Sequence, residues 1–463
     1  MKNSRPISYT EKLYFWRTKL GGYSNFRFVG EYSIELNAQN VFQALETMLY
    51  KYSPLTAGML PNNDESLGYH ISLISKVKYG DVVEFITDEA LEGNVTGILD
   101  KYHSVHFNFD DCTPLWKLKI INGKYALFFC DHAFFDGTSG KNFHIEFSNA
   151  LAEQKTTESG PSEGMDTVLF DRSLTDPEKY QIFPPPKDII DYNGSIITQL
   201  KSVFEAVAPK PITNWLKYWF GGNPYAKLMT YNPLLGNDLK LIPDDKIGDS
   251  VNVFLNPTEV KKMIQLARNH NVKMTSLVVL LAQLSIRDFI SDDKDSLISV
   301  PINLRSEIDN EKAKKLCANF SDKFGIYMSG IEIELPAIKK ICPGGEIDWK
   351  LAEYIHNEIH QRAKSSKYRW GLAKYIDPKK YIEGYISKRE RETLEVSNVG
   401  IVSNCSPILL HLWFDQPPEG FSINMASTAN GANLTLRSYN AAHIEKFASE
   451  FERLLRGLLE KKE

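Results

Sequence analysis

The stretch from Trp116 to Glu153 constrains the fold more than any other part of the chain. Trp116 to Ile121 and Tyr125 to Cys130 read as strands, and Asn122-Gly123 lies between them. That dipeptide favours a tight antiparallel hairpin, because both central positions need positive φ. The second strand runs into the segment Asp131 to Gly140, after which Phe143, Phe147 and Leu151 repeat at helical spacing as far as Glu153. A hairpin followed at once by a helix points to an α/β architecture of mixed, mostly antiparallel sheets flanked by helices.

The rest of the chain repeats this mixture. Ser8 or Thr10 is placed to cap a helix through Leu13, Trp16 and Leu20 that ends at Gly21-Gly22. Phe26 to Leu36, Tyr69 to Ile74 and His103 to Phe109 read as strands, and Asn40 to Lys51 as a helix stopped before Pro54. Composition then changes. Gln154 to Gly164 is polar, Phe183-Pro184-Pro185-Pro186 is too proline-rich for regular structure, and helices are expected at Ile189 to Val207 and Ile212 to Phe220. A second half restarts with a strand at Val251 to Leu255, a helix opened by Pro257 and another at Thr275 to Phe289. Strands at Leu297 to Pro301, Val396 to Ser403 and Phe421 to Ala426, a helix around His356 and a final helix from Ala442 to Leu459 complete it. With 463 residues the chain exceeds a usual single core. The expected division is residues 1–185, a crossover segment 186–245, and residues 246–463.

Charge and cysteine usage exclude several function classes. A net charge of −4 and a pI near 6.3 argue against a nucleic-acid binder. Cys112, Cys130, Cys317, Cys342 and Cys405 are scattered and form no Cys-x-x-Cys pair, so neither a disulfide framework nor a zinc knuckle is indicated, and reduced thiols in a cytosolic setting fit best. The longest apolar stretch, Ser276 to Ile286, is interrupted by Gln283 and falls far short of the roughly 20 residues a bilayer requires. The amino terminus has no apolar segment of the signal-peptide kind. The chain is expected to be soluble, or at most peripheral to a membrane.

Chemistry concentrates in Cys130-Asp131-His132-Ala133-Phe134-Phe135-Asp136-Gly137. Histidine is the side chain best matched to proton transfer near neutral pH, and a strand end is where it can project into a cleft. Asp136 is placed to cap the following helix. The plain alternative is a core histidine beside an ordinary capping aspartate.

This segment resembles the His-x-x-x-Asp-Gly active-site motif of the chloramphenicol acetyltransferase-like superfamily, which includes plant BAHD acyltransferases and peptide-synthetase condensation domains. Other stretches match it in the same order: Thr113-Pro114-Leu115-Trp116, then Pro301 to Arg305 as the Pro-x-x-x-Arg element, then Ser397-Asn398-Val399-Gly400. Thr10 to Tyr14, Gly21-Gly22-Tyr23-Ser24-Asn25-Phe26 and the Phe183 to Pro186 run look most like the fungal alcohol acetyltransferase family. That family includes ester-forming enzymes and an N-acetyltransferase that detoxifies sphingosine-like inhibitors. Asp131 stands where many relatives carry a further histidine, and the plant-type Asp-Phe-Gly-Trp-Gly motif is absent.

The resemblance implies a chloramphenicol acetyltransferase-like α/β fold, with two mixed-sheet subdomains and a tunnel between them. His132 would lie near the middle of the tunnel, approached by an acyl-CoA from one mouth and an acceptor from the other. It implies an acyltransferase, most simply acetyl-CoA-dependent, in which His132 is the general base. Asp136 would pair with Arg305 to shape the site beside Gly137, and Ser397 and Asn398 are candidates for holding the oxyanion. No metal or resident cofactor is implied; acetyl-CoA or another acyl-CoA is a co-substrate. The acceptor expected first is the hydroxyl of a small or lipid-like alcohol. The amine of a sphingosine-like drug or lipid is the alternative, and a non-catalytic module that binds CoA or lipid is a second one.

Other features carry less. His356 and His360 sit four apart on a helix, but Asn357 stands where a zinc protease needs glutamate, and two surface histidines are the expected reading. His103 and His106 are read as strand residues. The basic run Arg362, Lys364, Lys367, Arg369, Lys374, Lys379, Lys380, Lys388, Arg389 and Arg391 suits a solvated face better than a phosphate site. Segments around Trp215 and Trp219 are amphipathic enough to touch a membrane surface, with core packing the commoner use. The expected state is a cytoplasmic monomer without nucleic-acid partners, its possible peripheral contacts being endoplasmic reticulum or lipid droplets.

Overall fold

Asn122 and Gly123 adopt the left-handed conformations the hairpin needs, with φ of 53° and 62°. They join β7 (Trp116–Ile121) to β8 (Tyr125–Asp131), which pair antiparallel from Trp116 opposite Cys130 to Ile121 opposite Tyr125. The structure, a computed structural model, describes residues 3–22, 25–62, 68–103, 105–154, 166–195, 223–234, 249–388, 392–418, 420–438 and 440–460, with isolated positions between 197 and 216.

Around this hairpin a five-stranded sheet forms in the order β15-β2-β8-β7-β6, with β2 (Asn25–Tyr32), β6 (Val83–Ile86) and β15 (Leu409–Asp415). All its pairings are antiparallel except β6 with β7. Two small sheets accompany it, one of β1 (Ser4–Pro6), β4 (Tyr69–Leu73) and β3 (Ala57–Pro61), the other of β5 (Lys76–Lys78) and β9 (Val168–Asp171). Helices α1 (Tyr9–Lys19), α2 (Ala38–Lys51), α3 (Tyr79–Val82), α4 (Val95–Lys101) and α5 (Gly137–Ala152) belong to this half.

The second sheet has seven strands. Its path is β10 (Pro233–Leu234), β12 (Asp295–Asn303), β14 (Leu394–Ile401), β16 (Phe421–Thr428), β17 (Gly431–Ser438) and β11 (Val251–Leu255), with β13 (Met328–Leu335) also paired to β12. Here the pairings of β10, β12, β14 and β16 are parallel, so this sheet is less antiparallel than expected. The chain leaves the sheet between these strands: through the Trp349–Ser366 helix before β14, and into the first sheet as β15 before β16. Such crossovers return strands in the same direction.

Each sheet has its own core. Phe128, Phe129, Phe143, Phe147 and Leu45 are fully buried in the first, and Leu277, Leu281, Ile355, Phe447 and Leu455 in the second. Between the sheets lies a buried ion network. The Asp415 carboxylate on β15 accepts from Arg437 Nε at 2.7 Å and Nη2 at 2.9 Å and pairs with Arg27 on β2, while Arg437 Nη2 also reaches Asp100 at 2.8 Å. Two arginines facing two carboxylates leave no net charge in the interior, the condition under which buried ions are tolerated. No helix among the described residues is long and apolar enough to cross a membrane.

Some expectations change. His103 to Phe109 forms no strand among its described residues, because side chains rather than a neighbouring strand take its polar groups: from β2, Arg27 Nη1 donates to the His103 carbonyl and Asn25 Nδ2 to the Val105 carbonyl, and Asp110 N donates to Asn108 Oδ1. The strand read from Phe26 stops at Tyr32, since Leu36 N turns back to the Gly123 carbonyl. The helix expected from Ile189 does not form at its start: a short helix ends at Ile189, Ile190 bridges to Ile308, and residues 191–195 are not helical. Only isolated positions of the rest of that segment and of Ile212 to Phe220 are described, and Trp219, most of the polar run Gln154 to Gly164, Tyr23, Ser24, Arg389 and Arg391 lie outside the described residues.

Candidate active site

β8 ends at Asp131, and the chain reverses there. The Asp131 carbonyl accepts from Phe134 N at 3.1 Å and Phe135 N at 3.0 Å, and its carboxylate accepts from Ala133 N at 2.7 Å. Phe134 and Phe135 anchor the turn in the core. Asp131 therefore holds the turn together. Both carboxylate oxygens also lie 3.2 Å from Thr18 Oγ1 on α1, and burial raises the Asp131 carboxyl to about 7.

The turn leaves His132 almost buried, with 7% of its surface accessible. Its Nδ1 lies 3.1 Å from the Phe135 carbonyl. A carbonyl only accepts, so Nδ1 carries the proton and the lone pair resides on Nε2. Burial, reinforced by the Arg17 cation, holds the ring well below the usual 6.5, so it stays neutral at physiological pH. The ring packs against Phe26 at 4.4 Å between centroids and stacks on Tyr14 at 5.4 Å with 21° between planes. An uncharged imidazole with a basic Nε2 is equipped to take a proton from an incoming nucleophile.

Asp136 is tied quite differently. It caps α5, its Oδ1 accepting from Ser139 N at 2.8 Å. Arg305 grips it through both oxygens, Nη1 to Oδ2 at 2.7 Å and Nη2 to Oδ1 at 3.0 Å, and Tyr327 N donates to Oδ2 at 2.9 Å. Arg305 Nε donates to the Asp322 carbonyl at 2.7 Å, and Ser139 Oγ bridges to Gly325. Asp136 thus fastens the start of α5 to the segment that leads into β13, one half of the molecule to the other. Gly137 packs against β14: a Cβ there would meet Val399 Cγ1 at 3.2 Å.

The two oxyanion candidates differ in availability. Asn398 spends both ends of its amide inside the fold, Nδ2 on Thr275 Oγ1 at 3.2 Å and Oδ1 on Gly400 N at 2.8 Å. Ser397 is buried on the same strand. His356 and His360 face each other at 6.2 Å on their helix, and no cluster able to hold a metal occurs among the described residues. Most of the described basic run is engaged by the protein's own acceptors: Arg362 with Glu358, Lys367 with Glu307, Lys379 with Glu383, Lys380 with Asp377 and Lys374 with Asn193.

α1 brings further residues to the turn. Tyr14, Arg17 and Thr18 share one helix face at spacings of three and four, aimed at the His132 turn. Tyr14 lies in the Thr10 to Tyr14 stretch that resembles the fungal family, but nothing in that stretch points to its contact with His132. The helix is held by a capping box between Ser8 and Glu11, and Arg5 forks onto Glu11 at 2.9 and 2.6 Å.

Comparison with known proteins agrees with this arrangement. A sequence model described as alcohol acetyltransferase matches residues 7–461. An uncharacterized protein of Schizosaccharomyces pombe is 22% identical over 427 residues, covering 86% of this chain and 88% of its own. Among solved structures, the trichothecene 15-O-acetyltransferase of Fusarium sporotrichioides superposes with a TM-score of 0.69 at 11% identity, over 98% of this chain and 95% of that one. The first condensation domain of the calcium-dependent antibiotic synthetase gives 0.59 at 13% identity, over 99% and 96%. At these identities the superpositions establish the chloramphenicol acetyltransferase-like fold and nothing finer.

Proposed function

The chain belongs to the alcohol acetyltransferase family, and from that premise we propose that it transfers an acetyl group from acetyl-CoA to the hydroxyl of a small or lipid-like alcohol, with His132 as general base. The observation that carries this reading is the Nδ1 contact to the Phe135 carbonyl, which leaves a neutral ring with its lone pair on Nε2. A hydroxyl is too weak an acid to ionise unaided at neutral pH, and a positioned base contributes typically about 10²–10⁴-fold. Nε2 takes the hydroxyl proton as the oxygen bonds to the thioester carbonyl carbon, whose π pair moves onto oxygen. The pair returns, the carbon–sulfur bond breaks, and the thiolate of CoA leaves with the proton that Nε2 held. Ester and free CoA thiol are the products; no resident metal or cofactor is invoked.

In this reading Asp136 and Arg305 shape the site without transferring protons, because every oxygen of Asp136 is already occupied by donors. The substrates meet in a passage between residues 1–185 and 246–463, with 186–245 as the connection. A peripheral membrane contact belongs to the same proposal: Ile197, Leu200, Ile212 and Trp215 expose 80%, 64%, 50% and 54% of their surface. The test is thiol release from acetyl-CoA against a panel of alcohols and long-chain amines, using the parent protein and His132→Ala. Alcohol-dependent release that the variant lacks supports the proposal. Amine-dependent release alone moves the acceptor to nitrogen, and CoA binding without any release leaves a binding module.

A further inference from the structure

The reaction creates a negative oxygen, and of the two candidates on β14 Asn398 already spends one amide N–H on Thr275 and its oxygen on Gly400 N. We propose that Tyr14 supplies the missing donor, its phenol hydroxyl stabilising the tetrahedral oxyanion, while Arg17 acts through Tyr14 as a positioning residue. This rests on the acetyl-transfer reading above.

Three observations converge on Tyr14. Its ring stacks on the His132 imidazole, which puts a phenol next to the proposed base. The residue is partly exposed where His132 is nearly buried, and among the described residues its hydroxyl makes no hydrogen bond to the protein. A donor not committed to the fold is what a transient oxyanion requires. Third, the ring is held from more than one side: Arg17 lies over it at 4.9 Å, and Trp370 meets it at 5.7 Å while donating its own Nε1–H to the Met328 carbonyl at 2.8 Å. The capping box and the Arg5 fork fix the helix beneath, so the phenol is preorganised before substrate arrives.

The electrostatics suit a donor. Burial raises the Tyr14 hydroxyl to about 12, with Asp136 and Glu395 pushing the same way and Arg17 pulling against them. The phenol therefore keeps its proton at any working pH, and the arginine makes that proton more acidic than burial alone would allow. During attack the carbonyl π pair moves onto oxygen and is met by the Tyr14 O–H. When the carbon–sulfur bond breaks, the pair returns and the phenol is unchanged.

Thiol release from acetyl-CoA with the best acceptor of the panel tests this. Tyr14→Phe preserves the stack on His132 and removes only the hydroxyl, and kcat is expected to fall about 10²-fold, with KM for acetyl-CoA nearly unchanged. Arg17→Gln should lower kcat about 10-fold, and Arg17→Lys should recover most of it, because the charge over the ring is restored. Tyr14→Phe at full kcat overturns the proposal, most clearly if Tyr14→Leu is inactive, since the ring would then serve packing alone. A fall in kcat for Arg17→Gln that Arg17→Lys does not repair overturns the positioning role. Absence of thiol release by the parent protein removes the acetyl-transfer reading and this inference with it.

Discussion

His132 and Asp136 stand four residues apart in one short motif, and their surroundings are opposite. His132 has aromatic neighbours on its faces, a carbonyl fixing its tautomer and a charge state pushed to neutral. Asp136 is fixed by Arg305, Tyr327 N and Ser139, and its carboxylate serves as a rivet between the two halves. The group proposed to gain and lose a proton is set among aromatic rings, while the group that holds geometry is gripped by a guanidinium and two backbone donors.

That contrast breaks if the two residues respond alike to substitution. His132→Ala should cost at least about 10²-fold in turnover while leaving the unfolding midpoint close to that of the parent. Asp136→Ala strands Arg305, which is only 10% exposed at its side chain, and should destabilise the fold by about 3–5 kcal/mol in denaturant titration. Removing Arg305 as well should recover part of that loss, because no buried charge is then left alone.

The pH dependence sharpens it. The His132 pKa is lower in the folded state than in the unfolded chain, and His144, pushed down to about 3, behaves the same way. For both, the unfolded chain binds the proton first, so stability is complete above about pH 6.5 and declines as pH falls below it. Asp131 has the opposite sign: its carboxyl is raised to about 7, so stability is lost as pH climbs from the ordinary carboxylate range through that value. Asp131→Asn, which keeps an acceptor for Ala133 N, should therefore raise the unfolding midpoint at pH 8 and change it little at pH 4. The smallest effect belongs to Asn398→Ala. Two neutral hydrogen bonds are lost, about 1–3 kcal/mol of stability together, and kcat should remain within about threefold of the parent.

Much of this was legible beforehand, for physical reasons. Asn122-Gly123 dictates its turn locally, and the spacing of Phe143, Phe147 and Leu151 marks α5 without reference to the rest of the chain. The motif placed His132 and Asp136 at a strand end and a helix start, which needs only local geometry. What was hidden depends on distant partners. Strand β15 leaves the second half of the sequence to pair with β2, and nothing in Leu409 to Asp415 announces that choice of neighbour. The Arg27–Asp415–Arg437 network joins strands from two sheets, with Arg27 near the start of the chain and its carboxylate partner toward the end, so no spacing reveals it. Tyr14 and Arg17 were hidden for another reason: α1 mixes polar and apolar residues around its circumference, burying Thr10 and Glu11 as well as Phe15, so its sequence marks no face as the one turned toward His132.

The central claim concerns one imidazole, neutral, protonated on Nδ1 and basic at Nε2. The nitrogen-15 spectrum of the histidine side chains, with His132 assigned by its loss in His132→Gln, reads both properties directly. The account predicts a neutral Nδ1–H ring for His132 from about pH 6 to pH 8, while exposed histidines titrate across that range. An imidazolium at neutral pH, or a neutral ring with its proton on Nε2, would contradict it.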